Sequence, residues 1–528
     1  MADMLKFNPF NRREFLTGGL SIAALGAMGL SLPAGISQAQ AKDGILRARI
    51  HADISNLDPA FWTSASDALV ISCIYAYSFE FEANTDSFKT VPVAMKSINI
   101  IDDTHIEFEL NQGILYSGDY GEMTAEDAKF SFERIADPAT KSLFTDDWAQ
   151  LDHVEVTGKY TGIIVLKSPF APLFTSTLPG VSGCILPKAA FDAVGGSFTT
   201  KPPCTSGPYR IKEWQPKSRV ILERNPDWKL YDVAFNEIHL IPIEDPKSAE
   251  LGFESGDLDH VETGISSILR YEGNALPNAK FEKHAGLNYS WLGMNESHPL
   301  LADIRVRRAI QYAIDRQTVV DAAYLGGAVV AAGIVAPSLI GHRTENLYNR
   351  DVDKARALLE EAGVADSLVL TLAIQQTAEY LAAAQVIQAN LAEIGVQVEI
   401  NQYESGTFWS LGIEADGTAW KDLQLFHFGF TMQPDPSWAT IWFTPEQVGI
   451  WNWQRFNNAE FGDLHRKASV ELDTEKRHAM YVRMQDIMEE SGDFVFLNFQ
   501  VNGTLTKDNV TAALRPDGIP ILPRFKQA

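Results

Sequence analysis

The sequence is poor in cysteine, short of positive charge and almost without long apolar runs. Its 528 residues hold three cysteines, Cys73, Cys184 and Cys204, none at metal-ligand spacing. A disulfide-stapled miniature scaffold and a zinc ribbon are therefore both excluded. Lys and Arg number 44 against 68 Asp and Glu, a formal charge of −24. Such a surface repels phosphate backbones and anionic lipid, which excludes nucleic-acid binding. Catalytic motifs are missing too: there is no G-x-S-x-G elbow, H-E-x-x-H, G-x-x-x-x-G-K, or G-x-G-x-x-G after a strand. Gly180-Val181-Ser182-Gly183-Cys184 is a near miss for the first of these. A catalytic carboxylate pair leaves no motif, so a glycosidase stays formally open, but the expectation is a non-enzyme without a cofactor. Eleven histidines include His51, His284, His298, His427 and His465, with no pair at helical or hairpin ligand spacing. Direct metal ligation is not expected; a metal carried inside an organic chelate stays open.

The one extended apolar stretch, residues 17–36, is diluted by Gly and Ser and falls short of a membrane span. Arg12 and Arg13 precede Phe15 and Leu16, and Ala39-Gln40-Ala41 supplies small residues behind the stretch. Charge, apolar region and small-residue site follow the order of a secretory signal, and the arginine pair points to the twin-arginine route. Residues 1–41 are expected to be removed, leaving a chain that starts near Lys42, free in the periplasm. No cysteine lies at the cleavage region to take a lipid anchor. In that oxidising compartment Cys184 and Cys204, which flank one Pro- and Gly-containing segment, are expected to form a disulfide, with Cys73 a buried thiol. Three buried thiols is the alternative. What the chain does have is 45% apolar residues and 10% aromatics, enough for a large core.

Periodicity places the clearest elements in the second half. Leu368 to Ile374 is a nearly continuous apolar run of strand length, suited to a sheet covered on both faces. Tyr380, Ala384, Ile387, Leu391 and Ile394 share one helical face, and Gly395 supplies a left-handed stop. Val396, Val398 and Ile400 then alternate as a second strand. Strand, helix and strand in this order require parallel pairing. Asp303 is placed to cap a helix with Val306, Ala309, Ile310, Ala313 and Ile314 inward and Arg305, Arg307 and Arg308 on the solvent side. Asp351 is placed to cap another, with Ala355, Leu358, Leu359 and Ala362 inward and Gly363 as its stop. Ile98 to Ile101 and Ile106 to Leu110 are short alternating stretches in a less parallel region. The fold class is α/β with at least two lobes.

Several segments together resemble the extracellular solute-binding proteins of family 5, the peptide, opine and nickel type. These are Leu57-Asp58-Pro59-Ala60; Thr124-Ala125-Glu126-Asp127 with Phe130-Ser131; Thr205-Ser206-Gly207-Pro208-Tyr209 with Trp214; and Arg224-Asn225-Pro226-Asp227-Trp228. Ser255-Gly256-Asp257-Leu258-Asp259, the block from Asn295 through Asp303-Ile304-Arg305-Val306-Arg307-Arg308-Ala309 to Ala313-Ile314-Asp315-Arg316, and Asp473 to Met480 complete the set. The resemblance implies a two-lobed periplasmic-binding fold of the second type, with an extra domain inserted in the first lobe. Residues 42–85, 204–290 and 498–528 then form the first lobe, 86–203 the inserted domain and 291–497 the second lobe. The chain would cross between lobes near Tyr289 to Asn295 and return near Asn498. The lobes would close on a solute by hinge bending and dock, as a monomer, on the permease of an ABC transporter in the inner membrane. A sensor using the same clamp without transport is a rival reading.

Such a clamp needs aromatic planes and convergent polar groups. Phe408, Trp409, Phe430, Trp438 and Trp453 in the aromatic-rich stretch, and Tyr289, Trp291 and Asn295 at the crossing, are the candidate ligand contacts; core packing is the alternative for each. Peptide receptors of the family carry an aspartate in a W-x-A-D-Y-x-D-P segment, where it holds the peptide ammonium. Here Gly429-Phe430-Thr431-Met432-Gln433-Pro434-Asp435-Pro436 is one residue short and offers Gln433. That departure favours a small polar, opine-like, sugar-like or chelate ligand over an ordinary peptide, with a di- or oligopeptide as the alternative. Asp435 either serves a cationic ligand or closes a turn before Pro436.

Overall fold

The computed structural model describes residues 44–274, 276–365 and 367–528; the expected signal, with Arg12 and Arg13, lies outside them. One eleven-stranded sheet runs through both halves of the described chain. Its spine is a pair of long antiparallel strands, Ala279–Met294 and Phe494–Lys507. Residues 279–285 pair with 501–507 in the first half, and residues 289–293 with 494–499 in the second. The register slips between Ala285 and Tyr289, and Gly286 sits in the slip. A Cβ there would lie 3.1 Å from the Asn502 amide nitrogen and 3.2 Å from the Gln500 carbonyl. A bulge of this kind bends the strand.

In the first lobe Ile45–Ile50 pairs in parallel with Glu237–Pro242 and His260–Glu262. Antiparallel strands Arg219–Arg224 and Tyr209–Gln215 complete that edge. A separate antiparallel sheet of Met95–Asp102, His105–Leu110, Thr161–Leu166 and Leu151–Val156 forms the insert, beside helix Ala125–Ala136. Phe108, Phe132, Trp148 and Ile164 of the insert belong to one apolar cluster with Leu46, Ile71 and Leu240. The insert is thus cemented to the first lobe by a shared core.

The second lobe has the expected crossover: Val369–Gln375 pairs in parallel with Gln397–Tyr403, joined by helix Ala378–Glu393. Asp303 and Asp351 cap their helices, and Gly363 takes the left-handed conformation. Because successive strand residues face opposite ways, Leu292, Leu425, Val495 and Leu497 fill one side of this sheet. Trp291, Phe426, Phe428, Phe494 and Phe496 fill the other.

Two expectations are corrected. Arg307 is not on the solvent side: it is 5% exposed, its Nε lies 2.7 Å from Asp493 Oδ1, and its other nitrogens donate to the Leu301, Ala302 and Ser491 carbonyls. Its helix is buried on a face wide enough to include it. Cys184 and Cys204 form no disulfide; all three thiols are free and buried. Both side chains are absorbed in the first-lobe core, where burial pushes the Cys204 thiol up to about 12.

Candidate functional site

A cavity of about 480 Å³ lies between the lobes, within the size range of small-molecule sites. The first lobe and its insert contribute Trp62, Tyr75, Phe144, Asp147, Ser182, Trp228, Tyr231, Arg515 and Asp517; the crossing strand and second lobe contribute Leu287, Asn288, Met432, Gln433 and Pro434.

Specific contacts set three of the wall residues, Trp62, Tyr75 and Trp228. Buried Asp58 takes both Arg134 terminal nitrogens at 2.8 and 2.7 Å, and its carbonyl receives the Phe61 and Trp62 N–H groups. That turn lays Trp62 flat on Phe144, with centroids 4.7 Å apart and planes 7° apart. Gly207 presses on the end of helix Ala65–Ile74, donating to the Ile74 carbonyl. A Cβ at Gly207 would stand 2.6 Å from the Ile74 carbonyl carbon and the Tyr75 nitrogen, so only glycine lets Pro208 and Tyr75 reach the cavity together. Asn225 Nδ2 donates to the Gly207 carbonyl at 2.7 Å and anchors the turn that presents Trp228.

Among the described residues three carboxylates border the cavity. Glu80 is paired with Arg524, whose guanidinium covers the Tyr231 ring. Asp517 is paired with Arg515 at 2.8 Å. Among the described residues the Asp147 carboxylate has only the Ser182 hydroxyl, which donates to Oδ2 at 2.5 Å. Burial pushes this carboxyl up to about 6; the Ser182 hydrogen bond opposes the rise and neighbouring Asp146 adds to it. Trp62 Nε1, the Tyr75 hydroxyl and Trp228 Nε1 are buried without a partner among the described residues. Water or an occupant rich in oxygen acceptors suits such a wall.

Of the ten expected ligand contacts, Gln433 alone borders this cavity. Asp435 is fully buried and bound to Arg477 and Thr175, so its expected role as a ligand contact is corrected to a structural one. Asn295 donates to the Trp420 and Leu423 carbonyls, the Tyr289 hydroxyl to the Ala439 carbonyl, and Trp453 Nε1 to the Ile450 carbonyl. Trp291 and Phe408 are buried among other rings. These five are core residues: Tyr289 and Trp291 lie on a covered sheet face, Phe408 and Trp453 pack into the same cluster, and Asn295 ties the chain just beyond the strand. Trp409, Phe430 and Trp438 are half-buried at the rim of the same cluster. The residues missed were marked in part: Trp62 follows Leu57-Asp58-Pro59-Ala60, and Trp228 closes Arg224-Asn225-Pro226-Asp227-Trp228.

Residues 89–449, well over half of the chain, match the family described as bacterial extracellular solute-binding proteins, family 5. The chain belongs to that family. Among relatives of this family 5 protein, one from Brucella ovis is 25% identical over 335 residues, covering 62% of this chain and 62% of that protein's length. Di/tripeptide-binding protein 3 of Pseudomonas aeruginosa is 24% identical over 466 residues, covering 83% of this chain and 86% of that one. Among solved structures, HbpA2 from Haemophilus parasuis superposes with a TM-score of 0.82 at 23% identity, covering 92% of this chain and all of that one. At that identity the likeness speaks for the fold alone. The family 5 protein is a two-lobed α/β protein with a cavity at the seam.

Proposed function

We propose that this chain captures a small polar solute between its lobes and delivers it, unaltered, to the permease of an ABC transporter. The observation that carries the proposal is the cavity itself, walled by both lobes beside the kinked spine. Closing such a seam around a solute removes water from both, and only a solute that binds the closed form better shifts the balance toward it. Capture without turnover is supported by the wall's chemistry. The Ser182 hydroxyl, in the near-miss elbow, donates its hydrogen bond to Asp147, and no histidine stands among the described residues bordering the cavity. Export through the twin-arginine signal, residence in the periplasm and action as a monomer belong to the same proposal.

A peptide solute is the second reading. It is favoured by relatives such as the Pseudomonas aeruginosa protein, named for di- and tripeptides, and by a cavity volume suited to a few residues. Against it stands Gln433, a neutral amide at the cavity where the family's peptide receptors have a carboxylate. Native mass spectrometry of the protein purified from its own host is the test. A single non-covalent adduct of small mass is expected; bare chain under every gentle condition, or an adduct whose mass changes on incubation, contradicts the proposal.

A further inference from the structure

Among the described residues bordering the cavity, Asp147 is the carboxylate with no arginine or lysine beside it. The 3-10 turn Thr145–Trp148 holds it in place, with its N–H on the Phe144 carbonyl. Oδ2 receives the Ser182 hydroxyl, while Oδ1 accepts nothing from the described residues. The residue is 7% exposed, and its opening is onto the cavity. A carboxylate so enclosed has lost most of its water and gained one hydroxyl in return, an arrangement that costs free energy until a cation arrives.

The aromatic pair beside it is a second, independent pointer. Trp62 and Phe144 lie flat on one another and both border the cavity. A carboxylate and ring faces bordering one cavity suit organic ammonium groups: the charge goes to the carboxylate, and the polarised C–H and N–H groups go to the rings. The other wall charges, Glu80 with Arg524 and Asp517 with Arg515, are already balanced.

We propose that the solute carries a cationic nitrogen group, an ammonium or guanidinium, that seats on Asp147 in the first lobe rather than on the 429–436 segment of the second. This rests on the capture function above and narrows its ligand class. The cation replaces the missing counter-charge, while the unpartnered N–H and O–H groups of Trp62, Tyr75 and Trp228 suit oxygen atoms elsewhere on the solute.

The test begins with solute released by denaturing protein purified from its own host and identified by mass spectrometry. The compound is then titrated by calorimetry into wild type and D147N, at pH 6, in two buffers of different ionisation enthalpy. The expected results are a nitrogen group protonated at neutral pH, binding weakened about tenfold or more in D147N, and proton release on binding to wild type that D147N lacks. An anionic or uncharged solute, or D147N binding within about twofold of wild type, overturns the inference. If no solute is released, spermidine, L-arginine and Gly-Leu are titrated directly, and failure of all three to bind also overturns it. A neutral solute held one to one defeats this inference and leaves capture standing, whereas failure to hold any solute defeats both.

Discussion

The Thr175 hydroxyl donates to Asp435 Oδ2 at 2.5 Å, joining the insert to the second lobe. Asp435 is itself gripped by Arg477 Nη2 at 2.9 and 2.8 Å. Nearby, the Ala171 N–H donates to the Ser469 carbonyl at 2.9 Å across the same seam. Gln433, two residues before Asp435, borders the cavity, so the tie and the binding wall share one short loop.

Removing only the tie should loosen the clamp without unfolding it. T175V keeps the shape of the side chain and deletes the donor, a loss of about 1 kcal/mol. Solute affinity is expected to fall about fivefold, with little change in melting temperature. R477M should behave differently, leaving Asp435 buried without its counter-charge at a cost of about 3–5 kcal/mol. Thermal melts and solute titrations of the two variants separate the roles; a T175V protein as unstable as R477M contradicts a tie of this kind.

Asp147 ties stability to pH in a definite direction. Its ordinary value of 3.8 rises to about 6 in the folded chain, with burial as the main cause. The native state therefore holds this proton more tightly than the unfolded state. The associated stability is present below about pH 4 and is lost as pH climbs toward 6, on the order of 3 kcal/mol. D147N is neutral at every pH, so it should raise the melting temperature of the solute-free protein at pH 8 and leave it nearly unchanged at pH 4. Calorimetric scans at both pH values check this, and a D147N protein that melts lower at pH 8 contradicts an uncompensated buried charge.

Gly207 has no room for a side chain. G207A forces a carbon against the backbone of Ile74 and Tyr75, so a loss of about 2–3 kcal/mol is expected, together with weakened solute binding as Tyr75 and Pro208 shift. Chemical denaturation with solute titration reads both; a variant as stable as wild type contradicts the close approach.

The three thiols supply a covalent check. With no disulfide among them, dithiothreitol should not move the melting temperature, and iodoacetamide should label all three cysteines only after unfolding. Mass spectrometry of the alkylated chain decides; a pair that resists labelling until reduced contradicts the structure.

Much of the fold was legible where a local rule dominates. The crossover from Leu368 to Ile400, the caps at Asp303 and Asp351 and the stop at Gly363 follow from periodicity and end chemistry, which tertiary packing did not override. The site was legible only as motifs. Leu57-Asp58-Pro59-Ala60, Thr205-Ser206-Gly207-Pro208-Tyr209 and Arg224-Asn225-Pro226-Asp227-Trp228 each hold or present a wall residue, yet nothing local distinguishes Trp62, at the cavity, from Trp453, in the core. Aromatic density around Trp409 to Trp453 instead marked a sheet face buried beneath helices and turns. Arg307 and Asp147 share a further obscurity. Each is a charged residue in a polar stretch, and its burial depends on elements far away in the chain, Asp493 for one and Ser182 for the other.

Small-angle X-ray scattering on solute-free protein and on protein saturated with its recovered solute tests the clamp most directly. A smaller radius of gyration on saturation, one solute per chain and recovery of that solute chemically unchanged are the expected results. Superimposable profiles at full occupancy, or a solute recovered as a different compound, would contradict capture between two moving lobes.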